Sequence, residues 1–181
     1  TADGDVVSLS RQSEGFMGAV VALGGVGAVT KLTLDVQPAY QMTQVVYENL
    51  SMDQLEHNLN NIFASGYSVS FFLNWQNHRI PQVWIKSRVR PGPPHKFPAE
   101  FYGATLAKKK LHPIPGHPAE SCTEQLGIPG PWFERLPHFR IGFTPSSGVE
   151  LQSEYFVPWE KGYQALLAVE QLRDYITPLL F

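Results

Sequence analysis

Three observations predict that this 181-residue chain is an α+β protein, an antiparallel sheet with helices on one face. Segments of strand character alternate apolar and polar side chains with a period of two. Helical spacing is confined to two stretches that lie between and after those segments. The order is strands, helix, strands, long loop, hairpin, helix, which suits antiparallel pairing better than a regular βα alternation.

The elements follow in order. Residues 5–9 (DVVSL) read as a strand after the turn dipeptide Asp3-Gly4. Residues 15–23 are short and apolar, and either helix or strand fits them. Residues 24–36 run from the cluster Gly24-Gly25-Val26-Gly27 into an alternating strand that stops before Pro38, and 41–49 form another strand. Ser51 and Gln54 make a capping box, and Met52, Leu55, Leu59, Ile62 and Phe63 follow at helical spacing until Gly66. Strands are expected over 67–74 and 82–87, with polar Gln76, Asn77, His78 and Arg79 between them. From Pro91 to Pro137 the chain is rich in proline and glycine, with a short helix expected near Pro98–Leu106. Segments that long and irregular are often functional or wrap a neighbouring domain. An amphipathic helix is expected over 160–176, with Tyr163, Leu166, Val169, Leu172 and Ile176 on one stripe.

Between the last two lies a hairpin expectation over 138–157. Alternation puts Phe139, Ile141 and Phe143 on one face and His138 with Arg140 on the other; from 149 it puts Glu150, Gln152 and Glu154 together. A loop of Thr144–Gly148 would set Arg140 opposite Gln152 and His138 opposite Glu154, in the register that matches apolar with apolar. Such a face, flanked by Phe, Trp and Tyr, suits either water or a ligand rich in hydroxyls.

Composition excludes some functions. Lys+Arg 14 against Asp+Glu 16 leaves a formal charge of −2, and the only basic run is Lys108–Lys110, so neither nucleic acid nor an anionic membrane is expected as partner. No apolar run approaches the ~20 residues of a membrane span. One cysteine, Cys122, rules out an internal disulfide framework and fits a reducing, cytoplasmic compartment. The pattern His112-x4-His117 followed by Cys122 matches no structural zinc site, so no metal is expected, and Cys122 beside Glu124 lacks a nucleophile signature. The Gly24–Gly27 cluster precedes a strand rather than a helix, which argues against a dinucleotide fold and leaves a structural turn or a close ligand approach. The chain starts on Thr1 and stops on an apolar run, and it is expected to be an internal fragment of a longer protein.

The stretch GGVGAVTKLTLDVQPAYQM (24–42) resembles the close of the flavin domain in flavoproteins of the vanillyl-alcohol-oxidase type. Together with HPIPGHPAESCTEQLGIPGPWFERLPHFRIGFTPSSGVELQSEYFVP (112–158), the chain is similar to the bacterial alditol (xylitol) oxidases of the aldonolactone-oxidase group. The resemblance implies that residues 1–40 are the tail of an FAD-binding α+β domain and 41–181 part of a substrate domain. It implies an FAD cofactor, usually held covalently through a histidine that would lie outside this chain. It also implies oxidation of the terminal CH–OH of an alditol, a hydride passing to flavin N5 and molecular oxygen becoming hydrogen peroxide. By the same resemblance Gly27, Ala28 and Val29 contact the cofactor and Gln152 contacts the polyol. The flavin-linking histidine and the proton-handling residues fall outside the chain, so no catalytic residue is assigned and the fragment alone is expected to be inactive. A sugar-lactone oxidase is the near alternative, and a non-catalytic carbohydrate-binding domain the alternative of another class.

Overall fold

The computed structural model describes residues 1–93, 96–143 and 151–179. The chain divides into two compact units, Thr1–Pro38 and Ala39–Phe181.

In the first unit the ambiguous apolar stretch resolves as a short helix, α1 (Phe16–Val20), entered through Gly15 at φ 78°. Turns then lead through Gly24–Gly27, and Arg11 pairs with Asp35. The strands expected at 5–9 and 24–36 are absent. A strand gains its ladder bonds and its burial only from a neighbour. Here Val6, Leu32, Leu34 and Val36 stay exposed, so nothing rewards pairing.

The second unit is built on one antiparallel sheet. Its strands are β1 (Gln41–Ser51), β2 (Ser68–Phe72), β3 (Arg79–Arg88), β4 (Glu100–Phe101), β5 (Ala104–Leu106) and β6 (Gly130–Pro131), in the order β2-β3-β1-β5-β4, with β6 also paired to β1. The α+β class with an antiparallel sheet is thus borne out. β1 meets β3 in the register Val45↔Ile85, Val46↔Trp84 and Tyr47↔Val83. β2 meets β3 as Val69↔Ile85 and Phe71↔Val83. Parity then divides the side chains. Val45, Tyr47, Val83 and Ile85 face one side, where Leu55, Leu59 and Ile62 of helix α2 (Asp53–Phe63) pack with Tyr163 and Leu166 of helix α3 (Gly162–Glu170). Val46, Trp84 and Phe72 face the other side and are covered by Ala107, Leu111 and Cys122 from the proline-rich segment and by Phe139 just after it.

Three local expectations are corrected. Pro98–Leu106 is a two-residue hairpin, β4–β5, rather than a helix. Its turn residues Tyr102 and Gly103 sit at φ 51° and 81°, the left-handed pair that a tight hairpin requires. The capping box is replaced by a closer bond. Ser51 Oγ accepts from Asp53 N at 3.3 Å, while Gln54 Oε1 accepts from Asn58 Nδ2. The last helix is broken after Glu170, resuming as α4 (Arg173–Ile176). Of its expected stripe Tyr163 and Leu166 reach the core, whereas Leu172 is half exposed.

The largest correction concerns 138–157. Residues 138–143 do not pair with 151–157, and neither is a strand. His138 O instead accepts Thr123 N at 3.0 Å, Arg140 N donates to Ser121 O at 2.8 Å, and Phe139 bridges Cys122. A nearer backbone, already fixed against the sheet, takes the edge that the hairpin would have used. Leu151, Tyr155 and Phe156 stay exposed. The expected loop Thr144–Gly148, with Val149 and Glu150, lies outside the described residues, as does His95. No helix among the described residues is long and apolar enough to cross a membrane.

Candidate functional site

The proline-rich segment is fastened to the sheet by polar side chains that rise from β1 and β3. Gln82 Nε2 donates to His112 O at 2.8 Å, and its Oε1 accepts the Trp84 indole N–H at 2.8 Å. Gln44 Nε2 donates to Thr123 Oγ1 and Glu124 O, both at 3.3 Å. From the segment itself, Gln125 exchanges two hydrogen bonds with the backbone of Leu111. Side chains add these bonds because the segment's ladder pairings are short, and its other buried backbone groups still need partners.

Lys86 belongs to this face and is 1% exposed. Its Nζ donates to Leu136 O, and burial pulls its pKa down to about 8. The imidazole of His138 packs edge-on against Phe72 at 5.2 Å and at a tilt against Trp84 at 5.4 Å. Burial first, and the Lys86 charge second, lower its pKa to about 4. Among the described residues His138 Nε2 and Gln44 Oε1 are buried without a hydrogen-bond partner. His112 stacks on His117 at 5.1 Å and is likewise held below its usual range, mainly by burial. Burial raises the thiol of Cys122, which disfavours the reactive thiolate. Among the described residues no three of His, Cys, Asp and Glu converge as a metal ion would need. The arrangement is therefore a fastener. It holds desolvated groups in place, the Lys86 ammonium among them, and keeps the Cys122 thiol from the thiolate form.

The residues singled out from the sequence fall elsewhere. Gln152 and Glu154 lie on an exposed stretch without regular structure. Arg140, expected opposite Gln152, instead donates from Nε to Cys122 O at 3.1 Å and lies 3.7 Å from Glu124. In the first unit Gly27 closes a turn at φ 131°, and Ala28 and Val29 continue as exposed backbone. The left-handed φ at Gly27 is one that side chains rarely adopt, so glycine there has a conformational reason.

Two surface clusters were not foreseen. At one end of the sheet the guanidinium of Arg88 lies 4.1 Å from the ring centre of Tyr40 and 4.7 Å from that of Tyr67, and Tyr40 stacks on Trp132 at 6.1 Å. A hydrogen bond from Arg88 holds the Tyr67 phenol below its usual range. At the other end an open groove of about 610 Å³ is lined by Trp75, Gln76, Asn77, Arg173, Asp174, Thr177 and Pro178. The polar run between β2 and β3 was the sequence signal for this groove. Its partner, α4, was hidden in what read as one continuous helix.

No family model matches the chain. An alditol oxidase of Streptomyces sp. (strain IKD472 / FERM P-14339) is 47% identical to it over 180 residues. That match takes in 99% of this chain but 42% of the Streptomyces protein, so the chain spans less than half the length of its relative. The resemblance read from residues 24–42 and 112–158 is borne out: over nearly its whole length this chain is similar to a bacterial alditol oxidase.

Proposed function

We propose that this chain is part of an FAD-dependent oxidase of alditols, in which residues 1–40 complete a flavin domain and 41–181 contribute to a substrate domain. The observation that carries the reading is the 47% identity to an alditol oxidase across 180 residues. The residues present fit the cofactor in one respect. Gly27 turns the chain at a left-handed φ, and Ala28 and Val29 follow it exposed, so backbone there can come close to a flat ligand. FAD supplies the hydride acceptor, and oxygen is the final oxidant, giving hydrogen peroxide. The histidine that would bind it covalently lies outside this chain.

Gln152 is the substrate contact in this reading. Each hydroxyl of a polyol can both donate and accept, and one primary amide meets both needs. Its task is to position the terminal carbinol rather than to move a proton. The single free cysteine, Cys122, is compatible with a cytoplasmic location.

The test uses the oxidase that contains this chain, purified with FAD supplied. Peroxide should form from xylitol or sorbitol. Gln152→Ala should cut kcat/KM roughly tenfold or more, the loss of one or two hydrogen bonds, with flavin content unchanged. A colourless protein would overturn the flavin reading, and unchanged xylitol kinetics in the variant would overturn the role of Gln152. Peroxide from sugar lactones but not polyols would favour the lactone oxidase.

A further inference from the structure

Residues 136–140 close over the polar face of the sheet, and three consecutive carbonyls hold them there. Leu136 O accepts from Lys86 Nζ, Pro137 O from Thr123 Oγ1 at 2.7 Å, and His138 O from Thr123 N at 3.0 Å. Next to them Arg140 N donates to Ser121 O at 2.8 Å. From this stretch the His138 ring turns inward onto Phe72 of β2 and Trp84 of β3. The charges around that ring are one-sided. β3 contributes the Lys86 ammonium, β1 the neutral amide of Gln44, and β2 the apolar Phe72. Within the cover Cys122 stays a thiol, and His112 and His117 stack on each other beside Phe139. Arg135 donates to the carbonyls of Ile128, Pro129 and Glu134, and Arg140 to that of Cys122. The nearby carboxylates are already engaged. Glu124 lies 3.4 Å from Lys110 and 3.7 Å from Arg140, and Glu134 lies 3.8 Å from Arg135. Among the described residues no carboxylate pairs with Lys86 or His138, so a second positive charge here would lack a counter-ion.

We propose that residues 136–140 form a proton-coupled latch, in which the cover opens by swinging His138 into water, where the ring takes up a proton, so that opening becomes easier as the medium turns acidic. A neutral imidazole fits against Phe72 and Trp84. An imidazolium in the same place would lose its water and meet the Lys86 ammonium. Burial, with the Lys86 charge second, holds the ring to a pKa of about 4 when the latch is closed, against about 6.5 in water. The open state therefore gains as pH falls through that window, and the gain is complete below about pH 4. Lys86 acts in the same sense at higher pH, because release also returns its ammonium to water. Release is local. It breaks the bonds that Lys86, Thr123 and Ser121 make to this stretch and leaves the β1–β3 ladder intact. The layer it uncovers is that of Val46, Phe72 and Trp84. None of these residues belongs to the flavin or Gln152 assignments, so the latch stands or falls apart from the oxidase reading.

Amide exchange in the complete protein tests the latch, each rate being corrected for the pH dependence of intrinsic exchange. At pH 7 the amides of Thr123 and Arg140, bonded to His138 O and Ser121 O, should be less protected than the β3 amides held between β1 and β2. On going to pH 5 their protection should fall about fivefold, with solvent screening of a half-buried ring allowed for. His138→Phe keeps an aromatic ring against Phe72 and Trp84, cannot take the proton, and should abolish the fall. His138→Gln keeps a polar group that does not titrate in this range and should abolish it too, which covers the case that Phe disturbs the packing. Lys86→Met removes the opposing ammonium and should reduce the fall. Protection at Thr123 and Arg140 that is the same at both pH values would overturn the proposal, because the cover would then open without releasing His138. A fall that persists in both His138 variants would overturn it as well. So would protection equal to that of β3 at both pH values, since the stretch would then open only on global unfolding.

Discussion

His138→Phe is the most exacting test of the buried polar face. The ring sits against Phe72 and Trp84, Nε2 has no partner among the described residues, and the pKa is lowered from 6.5 to about 4. The unfolded chain therefore binds a proton between pH 6.5 and 4 that the folded chain refuses, and stability falls as pH falls through that window. Between pH 7 and pH 5 the linkage amounts to about 2 kcal/mol at most, and to ~1 kcal/mol once solvent screening of a half-buried ring is allowed for. Below about pH 4 both states are protonated, and the loss from this group is complete. Phenylalanine keeps the aromatic contacts and removes the group that titrates. The variant should match or exceed the wild type at pH 7 and lose ~1 kcal/mol less on going to pH 5. Urea unfolding followed by tryptophan fluorescence at the two pH values, with unchanged m, reads this directly. Equal pH slopes for wild type and variant would refute the reasoning. So would a large loss in the variant at pH 7, which would mean that Nε2 has a partner.

Lys86 should act in the opposite half of the pH scale. With its pKa lowered from 10.5 to about 8, wild-type stability should rise between pH 8 and 10.5, by up to ~3 kcal/mol for this group, and Lys86→Met should flatten that rise. In a double-mutant cycle Lys86→Met should also raise the pKa of His138, whose imidazolium the lysine charge opposes; histidine NMR titration reads it. Gly103→Ala should cost ~1–2 kcal/mol in thermal or urea unfolding through backbone strain alone, since φ is 81° and no atom lies within 4 Å of the added carbon.

The central sheet was legible because its strands carry their information locally. The strand-forming runs read at 41–49 and 82–87 fall inside Gln41–Ser51 and Arg79–Arg88, which are buried on both faces, and Leu55, Leu59 and Ile62 report one stripe. The β4–β5 hairpin was missed because its signal is a two-residue turn, Tyr102-Gly103, inside a run too short to show a period. The 138–157 hairpin failed for a different reason. Alternation says which residues share a face, but it does not say which backbone arrives first, and Ser121–Thr123 takes the edge of His138–Arg140. The fastener of Gln44, Gln82, Lys86 and His138 was invisible because those residues lie far apart in sequence and meet only through strand register. The groove was half legible, in the polar run Gln76–Arg79.

β1 pairs with β3 along almost its full length, yet holds β6 by Gln41↔Pro131 and Met42↔Gly130 alone. That disparity orders the assembly in time. Along the body of the sheet the β2–β3 hairpin closes a short loop, β1 closes a longer one, and the covering segment must close the longest for the fewest backbone bonds. The cover is accordingly the last part to dock and the first to open. Amide exchange should report it as a separate, weaker cooperative unit, whose release wets Trp84 while β1 and β3 stay protected.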